Sequence, residues 1–448
     1  MAQAAGSLSE AVSSTAMQAF ASLQSLATRA GPYLETLLDL VKQHPRSTAG
    51  GAIVCYILLC HALRFRRTNK KLASYPYRTR ADYRNMTTQH AFEIQKYLFE
   101  LEFPFTTNKA LEFALFRTYG IPSISRLLVA TKQLSTPDRA PKRYVDTVVL
   151  IGEFMSFPPD SERANAGIAR MNYLHSMYQA SGKISNADLL YTLALFALEP
   201  RRWIDRCEWR KLTDLECCAF GTFWKSIGEA MEISYEEMRS AGTGWTDGLH
   251  WLEDLEEWAD EYEKKCMVPD AANKKTADET TNILLWDVPK ALNPAAYKVV
   301  SSLMDDRLRK AMMYDAPSEV FQTNVERGIR LRAFLLRHFA LPRPQFMKFQ
   351  RIAEEPNKSG KTHLLEWVAE PWYIEPTFAN RWGPKAWLKW MAGRPYPTPG
   401  KYGSEGYDLQ RVGPATFEGK GLSEAEKTKS KLMAQGRGGC PFAFGGNS

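Results

Sequence analysis

The residues whose types could do chemistry sit in two short runs, Lys142-Arg-Tyr-Val-Asp-Thr147 and Arg170-Met-Asn-Tyr-Leu-His175, with His175 28 residues past Thr147. If both runs are helical, Arg143 and Thr147 lie one turn apart on one face and could meet a propionate or a bound oxygen species. Taken alone, the same pair also reads as an ordinary helix start with a surface arginine. Met171, Leu174, His175 and Tyr178 fall at i, i+3, i+4 and i+7, so the imidazole sits on an apolar stripe. Taken alone, a histidine there reads as well as a core residue with its ring satisfied.

Other chemistries lack their residues. The histidines at 44, 61, 90, 175, 250, 338 and 363 form no His-x-x-x-His or Glu-x-x-His pair, which disfavours a di-iron bundle. The seven cysteines show no Cys-x-x-Cys spacing, so structural zinc is disfavoured, and they read as free thiols of a reducing compartment. There is no Walker loop, no Gly-x-Gly-x-x-Gly after a strand and no Gly-x-Ser-x-Gly elbow. A metal held here would more easily bring most of its own ligands. Haem does so, because the porphyrin supplies four nitrogens and the protein need add one axial histidine. His175 is the best placed for that, with Met171, Leu174 and Tyr178 offering apolar surface to a porphyrin face. His90 and His338 are rivals.

The elements that must position these residues read as helices. Runs alternating at period two are scarce, so the fold class expected is mainly α, one large helical domain. Helices broken by Pro104, Gly120 and Pro122 are expected over 86–135, then a helix over 142–155 and strong helical signals over 168–240. Capping boxes are expected at Ser185 with Asp188, Thr213 with Glu216, Ser234 with Glu237, and Ser423 with Glu426. Residues 249–265 and 294–340 read as helical, 267–290 as a polar loop, and the proline-rich chain beyond Pro342 as a wrap of loops and short helices. The apolar tail Gly438-Gly-Cys-Pro-Phe-Ala-Phe444 is expected to dock.

A charge-free run from Ala49 to Leu63, or from Ser47 with its polar lead-in, is followed at once by Arg64, Arg66, Arg67, Lys70 and Lys71. Its length is at the short limit for a membrane span, where a buried core helix is the usual competitor and a helix lying in the membrane interface is the other alternative. The basic flank places the long C-terminal part in the cytosol and the N-terminus across the membrane, and a short span suits the endoplasmic reticulum. The expected organisation is a lumenal helical segment 1–46, a single-pass anchor 47–63, a basic juxtamembrane linker 64–85, a helical domain 86–400 and a docking tail 401–448. The formal charge of +8 resides largely in that basic flank, and no aromatic residues interleave with a basic stripe, so nucleic acid is not an expected partner.

At these residues the chain resembles the family that joins MpaB-type fungal oxygenases of the endoplasmic reticulum to the bacterial rubber oxygenases, the latex clearing proteins. The wider likeness covers about residues 95–240. The fungal branch also matches the anchor, Phe196-Ala-Leu-Glu-Pro-Arg-Arg-Trp203 and Gly436-Arg-Gly-Gly-Cys-Pro-Phe442. Rubber oxygenases carry an arginine and a threonine four residues apart, then about thirty residues later the axial histidine of a b-type haem, the order kept by Arg143, Thr147 and His175. They also use a catalytic glutamate and can place a lysine on the distal side. This chain has no match of that quality for either, and Lys109, Lys132 and Glu153 are the candidates.

The resemblance implies a helical core binding haem b and cleavage of an isoprenoid C=C bond by O2, in the fungal branch on the farnesyl tail of a phthalide in mycophenolic acid biosynthesis. The implied partners are a lipophilic prenylated substrate, O2, the endoplasmic-reticulum membrane and neighbouring pathway enzymes. Two other readings stay open: a haem oxygenase or peroxygenase that hydroxylates a lipophilic metabolite, and a non-catalytic scaffold for biosynthetic enzymes, favoured by the basic flank and the polar 267–290 segment.

Overall fold

In the computed structural model, residues 43–132, 136 and 139–442 are described. The expected lumenal segment 1–46 lies almost wholly outside them, as does the tail beyond Phe442. Every regular element among the described residues is helical, and β pairing there is confined to isolated bridges such as Ile352 with Leu364. The chain divides into two compact units. The small one includes residues 43–66 and 338–341; the large one runs from Arg67 to Arg337 and onward from Pro342.

The small unit is built on the part of α1 (Pro45–Ala73) up to Arg66; α1 is the one helix among the described residues long and apolar enough to cross a membrane. Its 29 residues span about 43 Å at 1.5 Å each, more than the roughly 30 Å of a hydrocarbon core. The helix therefore carries the arginines and lysines of 64–71, so the expected linker is helical as far as Ala73 and a short 3-10 turn follows at Arg80–Asn85. Within this unit His61 Nε2 and His338 Nδ1 are 3.0 Å apart, which occupies one of the rival histidines.

The large unit is a stack of helices: α2 (Thr88–Tyr97), α3 (Pro104–Thr118), α4 (Pro122–Thr131), α5 (Ala140–Ser156), α6 (Glu162–Ala180), α7 (Asn186–Cys207), α8 (Asp214–Ala230) and α9 (Gly248–Cys266). Prolines in the first turn open α3, α4 and α5, where no helical donor is lost. Ser161, Ser185, Thr213 and Asp247 cap α6 to α9 through their side-chain oxygens. At Thr213 the box with Glu216 is reciprocal, as expected. α3 lies along α7, α9 along α8, and α5 along α6. Gly167 sets the last approach, since a Cβ there would stand 3.1 Å from Glu153 Cβ and 3.3 Å from the Leu150 carbonyl oxygen.

Behind this stack a buried ion network ties α3, α7 and α9. Arg117 donates to both carboxylate oxygens of Glu263 at 2.8 Å, Tyr191 donates to Glu263 at 2.9 Å, and Arg202 pairs with Glu199 at 3.0 Å. Burial opposes the Arg117 charge, but the Glu263 pair outweighs it and holds that pKa well above its ordinary value.

Three expectations are corrected. No helix follows Ser234, whose hydroxyl instead accepts from the Glu236 amide in a turn. The segment 267–290 is not a loop: α10 (Ala271–Leu284) is capped by Asp270 and buries Asn273, Thr276, Thr280 and Thr281. Its face is polar and largely bonded, with Asn273 Nδ2 donating to the carbonyls of Gly120 and Ala311 at 3.1 Å while Asn273 Oδ1 and Thr280 Oγ1 have no partner among the described residues, a pattern that hydropathy alone does not reveal. The helix near Ser423 starts at Leu422 without the expected box, and Ser423 bonds Glu424 instead.

After α10 come α11 (Asn293–Leu303), α12 (Asp306–Ala311) and α13 (Glu319–Phe339). The proline-rich wrap follows, holding α14 (Phe378–Trp382), α15 (Pro384–Met391) and α16 (Leu422–Gln435). The wrap packs on α5 and α6 through Ile352, Leu364, Tyr373, Val412 and Phe417, which share one buried cluster with Val149, Leu150 and Leu174. Arg170, fully buried on α6, donates to the carbonyls of Val412, Lys420 and Phe417 at 2.8–2.9 Å. The end of the described chain docks as well. The Thr88 amide donates to Gly439 at 2.8 Å and Phe442 is buried.

Candidate active site

α5 supplies Arg143 and Thr147, and α6 supplies His175; all three line one cavity of 190 Å³, which its open mouth extends to about 970 Å³. The lining is largely aliphatic and aromatic, with Leu115 and Tyr119 from α3, Ile124, Leu127 and Leu128 from α4, Ile151 from α5, and Leu189 and Phe196 from α7. The enclosed part is smaller than the roughly 300–1,000 Å³ of typical small-molecule sites, so a ligand of that size would occupy the open mouth as well. α7 runs on through Pro200, which leaves the Phe196 carbonyl at the cavity wall without its usual helical donor.

Arg143 and Thr147 act as a pair. The Thr147 hydroxyl donates to the Arg143 carbonyl at 3.0 Å and accepts from the Arg143 guanidinium at 2.6 Å. Among the described residues no carboxylate pairs with Arg143, so its remaining N–H groups are available to an oxygen ligand. The His175 ring has no hydrogen-bond partner among the described residues. Burial among apolar side chains, aided by the Arg143 charge, lowers its pKa to about 4. What surface the ring has left faces the cavity, so at neutral pH His175 presents an uncharged imidazole with a free lone pair. The buried Tyr119 hydroxyl, near Thr280, also lacks a well-aligned hydrogen bond.

Met171 and Leu174 line the same cavity. Tyr178 is not brought there: it packs on the core cluster with its ring 6.3 Å from Phe417. The stripe is wide enough that its last member turns under the C-terminal wrap. His90 is taken up by Tyr77, whose hydroxyl lies 2.8 Å from its Nδ1. Glu153 is a joint outside the cavity, held by Arg163 at 2.7 Å and Tyr407 at 2.5 Å. Lys132 is the left-handed residue that ends α4, and Lys109 pairs with Glu112 at 2.7 Å. The seven cysteines are free, and burial pushes the Cys217 and Cys218 thiols up to about 12, which makes them poor nucleophiles. No cluster of three or more metal-ligating side chains occurs among the described residues.

Sequence reading passed over Glu112. It lies across Thr147 from the main cavity, in a narrower cleft shared with Thr147, Ile151, Phe196 and Arg351. Burial raises its pKa, opposed by Lys109. Asn108, Glu112 and Leu115 of α3 and Tyr119 just past its end fall on one stripe, and an acid at helical spacing from Leu115 and Tyr119 was the available signal.

No protein-family profile matches the chain. Among curated proteins it is 48% identical over 394 residues to the ER-bound oxygenase mpaB′ of Penicillium brevicompactum, covering 88% of this chain and 93% of that one. It is 44% identical over 347 residues to the ER-bound oxygenase mpaB of the same species, covering 78% and 82%. With the ER-bound oxygenase mpaB of Penicillium roqueforti it shares 52% identity over 268 residues, 60% of this chain and 90% of the relative. Similarity of this extent, running through the helices that wall the cavity, means that the chain belongs to the MpaB family of ER-bound oxygenases.

Proposed function

We propose that this chain is an oxygenase of the endoplasmic-reticulum membrane that holds haem b on His175 and cleaves a C=C bond of an isoprenoid chain with O2, leaving two carbonyl ends. Family membership and the apolar α1 support the coarser part, an oxygenase bound to that membrane. The basic residues after the apolar run favour the large unit in the cytosol. The observation that carries the finer part is the neutral, unpartnered His175 ring in an apolar cavity beside the Arg143–Thr147 pair.

These residues fit the group. A porphyrin needs one imidazole lone pair, apolar walls for its faces and cations for its carboxylates; His175, the leucine-rich lining, and Arg143 with Lys183 at the mouth offer these. The enclosed volume is small, so the ring system would use the open mouth as well. Haem, when bound, supplies the electron chemistry of O2 activation. Met171 and Leu174 flank the imidazole and fix its approach. Arg143, pre-set by Thr147, directs N–H donors at an oxygen or carboxylate, and the aliphatic walls hold an isoprenoid chain away from water. The reaction balances as one alkene plus O2 giving two carbonyl compounds, with no further reductant.

The test is a visible spectrum of the full-length protein purified after expression with haem precursor. A Soret band that His175→Ala abolishes or strongly shifts is expected; colourless protein would overturn the proposal. With a prenylated aromatic under ¹⁸O₂, shortened products labelled at both carbonyls support cleavage, whereas a labelled alcohol of unchanged carbon count points to hydroxylation.

A further inference from the structure

α15 is turned inside out for a helix facing water. Its inward positions are Ala386 and Lys389, 2% and 6% exposed, and the Lys389 ammonium is taken from solvent to meet Asp287 and the Trp367 ring, 4.7 Å from its centroid. Outward it shows Trp387, Leu388, Trp390 and Met391, with Leu388 and Met391 both 65% exposed; α14 adds Trp382 and Phe378, the latter 82% exposed. A contiguous apolar patch of this kind is rare on a water-soluble surface and marks a contact. The chemistry around it selects the partner. Residues 376–401 hold five basic side chains, Arg381, Lys385, Lys389, Arg394 and Lys401, and no acidic one.

We propose that α14 and α15 form a second membrane contact, in which Phe378, Trp382, Trp387, Leu388, Trp390 and Met391 enter the headgroup and upper acyl region of a bilayer while Arg381 and Lys385 meet anionic headgroups. Tryptophan with flanking lysine or arginine is the composition of the membrane interface, where the indole is half solvated and long cationic side chains reach back to phosphate. A chain that belongs to an ER-bound family already has bilayer at high effective concentration, so the patch needs little intrinsic affinity to be occupied. The contact also bears on the cavity. Ala386, on the inner side of α15, shares a buried cluster with Leu150 and Leu174, two residues that line it. The inference does not depend on what the cavity holds.

The tryptophans make it testable in the full-length protein. All twelve lie at or beyond Trp203, none in α1, so quenching of their emission by lipids brominated along the acyl chain reports on the large unit alone. The chain is reconstituted in vesicles of phosphatidylcholine with phosphatidylserine, with and without bromination. Three of twelve tryptophans lie in the patch, so a loss of about a quarter of the emission is expected, smaller without phosphatidylserine, and absent in the W382S/W387S/W390S variant. Leu388→Asp keeps every tryptophan and is expected to diminish the quenching, which serves should the triple variant fold poorly. Emission insensitive to bromination in the wild type, or equal quenching in wild type and Leu388→Asp, would overturn the proposal and leave the patch to a protein partner.

Discussion

Acidification tests the state of His175 directly. Its folded pKa of about 4 lies below the ordinary 6.5, so as pH falls the unfolded chain binds the proton first. Stability from this group is therefore fully present above pH 6.5 and is lost as pH falls toward 4. A gap of about 2.5 units at 1.36 kcal/mol each caps the effect at about 3 kcal/mol, and residual solvent access to the ring trims it toward 2. That is a large share of the 5–15 kcal/mol typical of a domain. Carboxylates titrate in the same window, so the quantity to measure is a difference: urea unfolding of cofactor-free wild type and His175→Gln at intervals from pH 7 to pH 4. Glutamine keeps a polar group of similar reach and cannot titrate. The wild type is expected to lose about 2–3 kcal/mol more than the variant over this range, and the His175 ring resonance to titrate near 4. Parallel stability curves, or a ring that titrates near 6.5, would refute the account of a neutral imidazole free to ligate.

Thr147→Val keeps the side-chain shape and removes the hydroxyl that positions the Arg143 guanidinium; turnover is expected to fall by about 10–100-fold with the absorption spectrum of the loaded enzyme retained. Gly421→Ala places a Cβ 1.9 Å from the Tyr173 ring at a φ of +69°, and a loss of about 2–4 kcal/mol in denaturant unfolding is expected. Arg170→Met strips donors from three carbonyls, those of Val412 and Phe417 buried, and should cost about 3–5 kcal/mol, with protease cleavage appearing first within residues 412–421.

The parts of this protein legible in its sequence are those with local causes. The charge-free run from Ala49 marks α1, proline and Ser/Thr signals mark the starts of α3 to α8, and four-residue spacing puts Arg143 beside Thr147. What the sequence concealed depends on contacts between distant segments. Asn273 is polar by composition and buried by its bonds to Gly120 and Ala311, so α10 looked like a loop. Tyr178 continues the stripe of His175, yet Phe417, far along the chain, covers it. Ser234 has an acid at the right interval but no helix to cap. The cavity combines walls from α3 to α7, and no periodicity within one helix reports that convergence.

The grip of Arg170 on the C-terminal wrap also fixes an order of events during synthesis. Its three acceptors lie 242–250 residues downstream. At roughly 5–20 residues per second, about 12–50 s pass between the emergence of α6 and that of its cover. Until then the face bearing Met171, Leu174 and Tyr178 lacks Val412 and Phe417, and the helix that carries His175 is not pinned by Arg170. A chain that terminates before Val412 would never complete the wall behind its histidine and would expose that stripe to aggregation and to quality control, even though every residue of the cavity lining had been made.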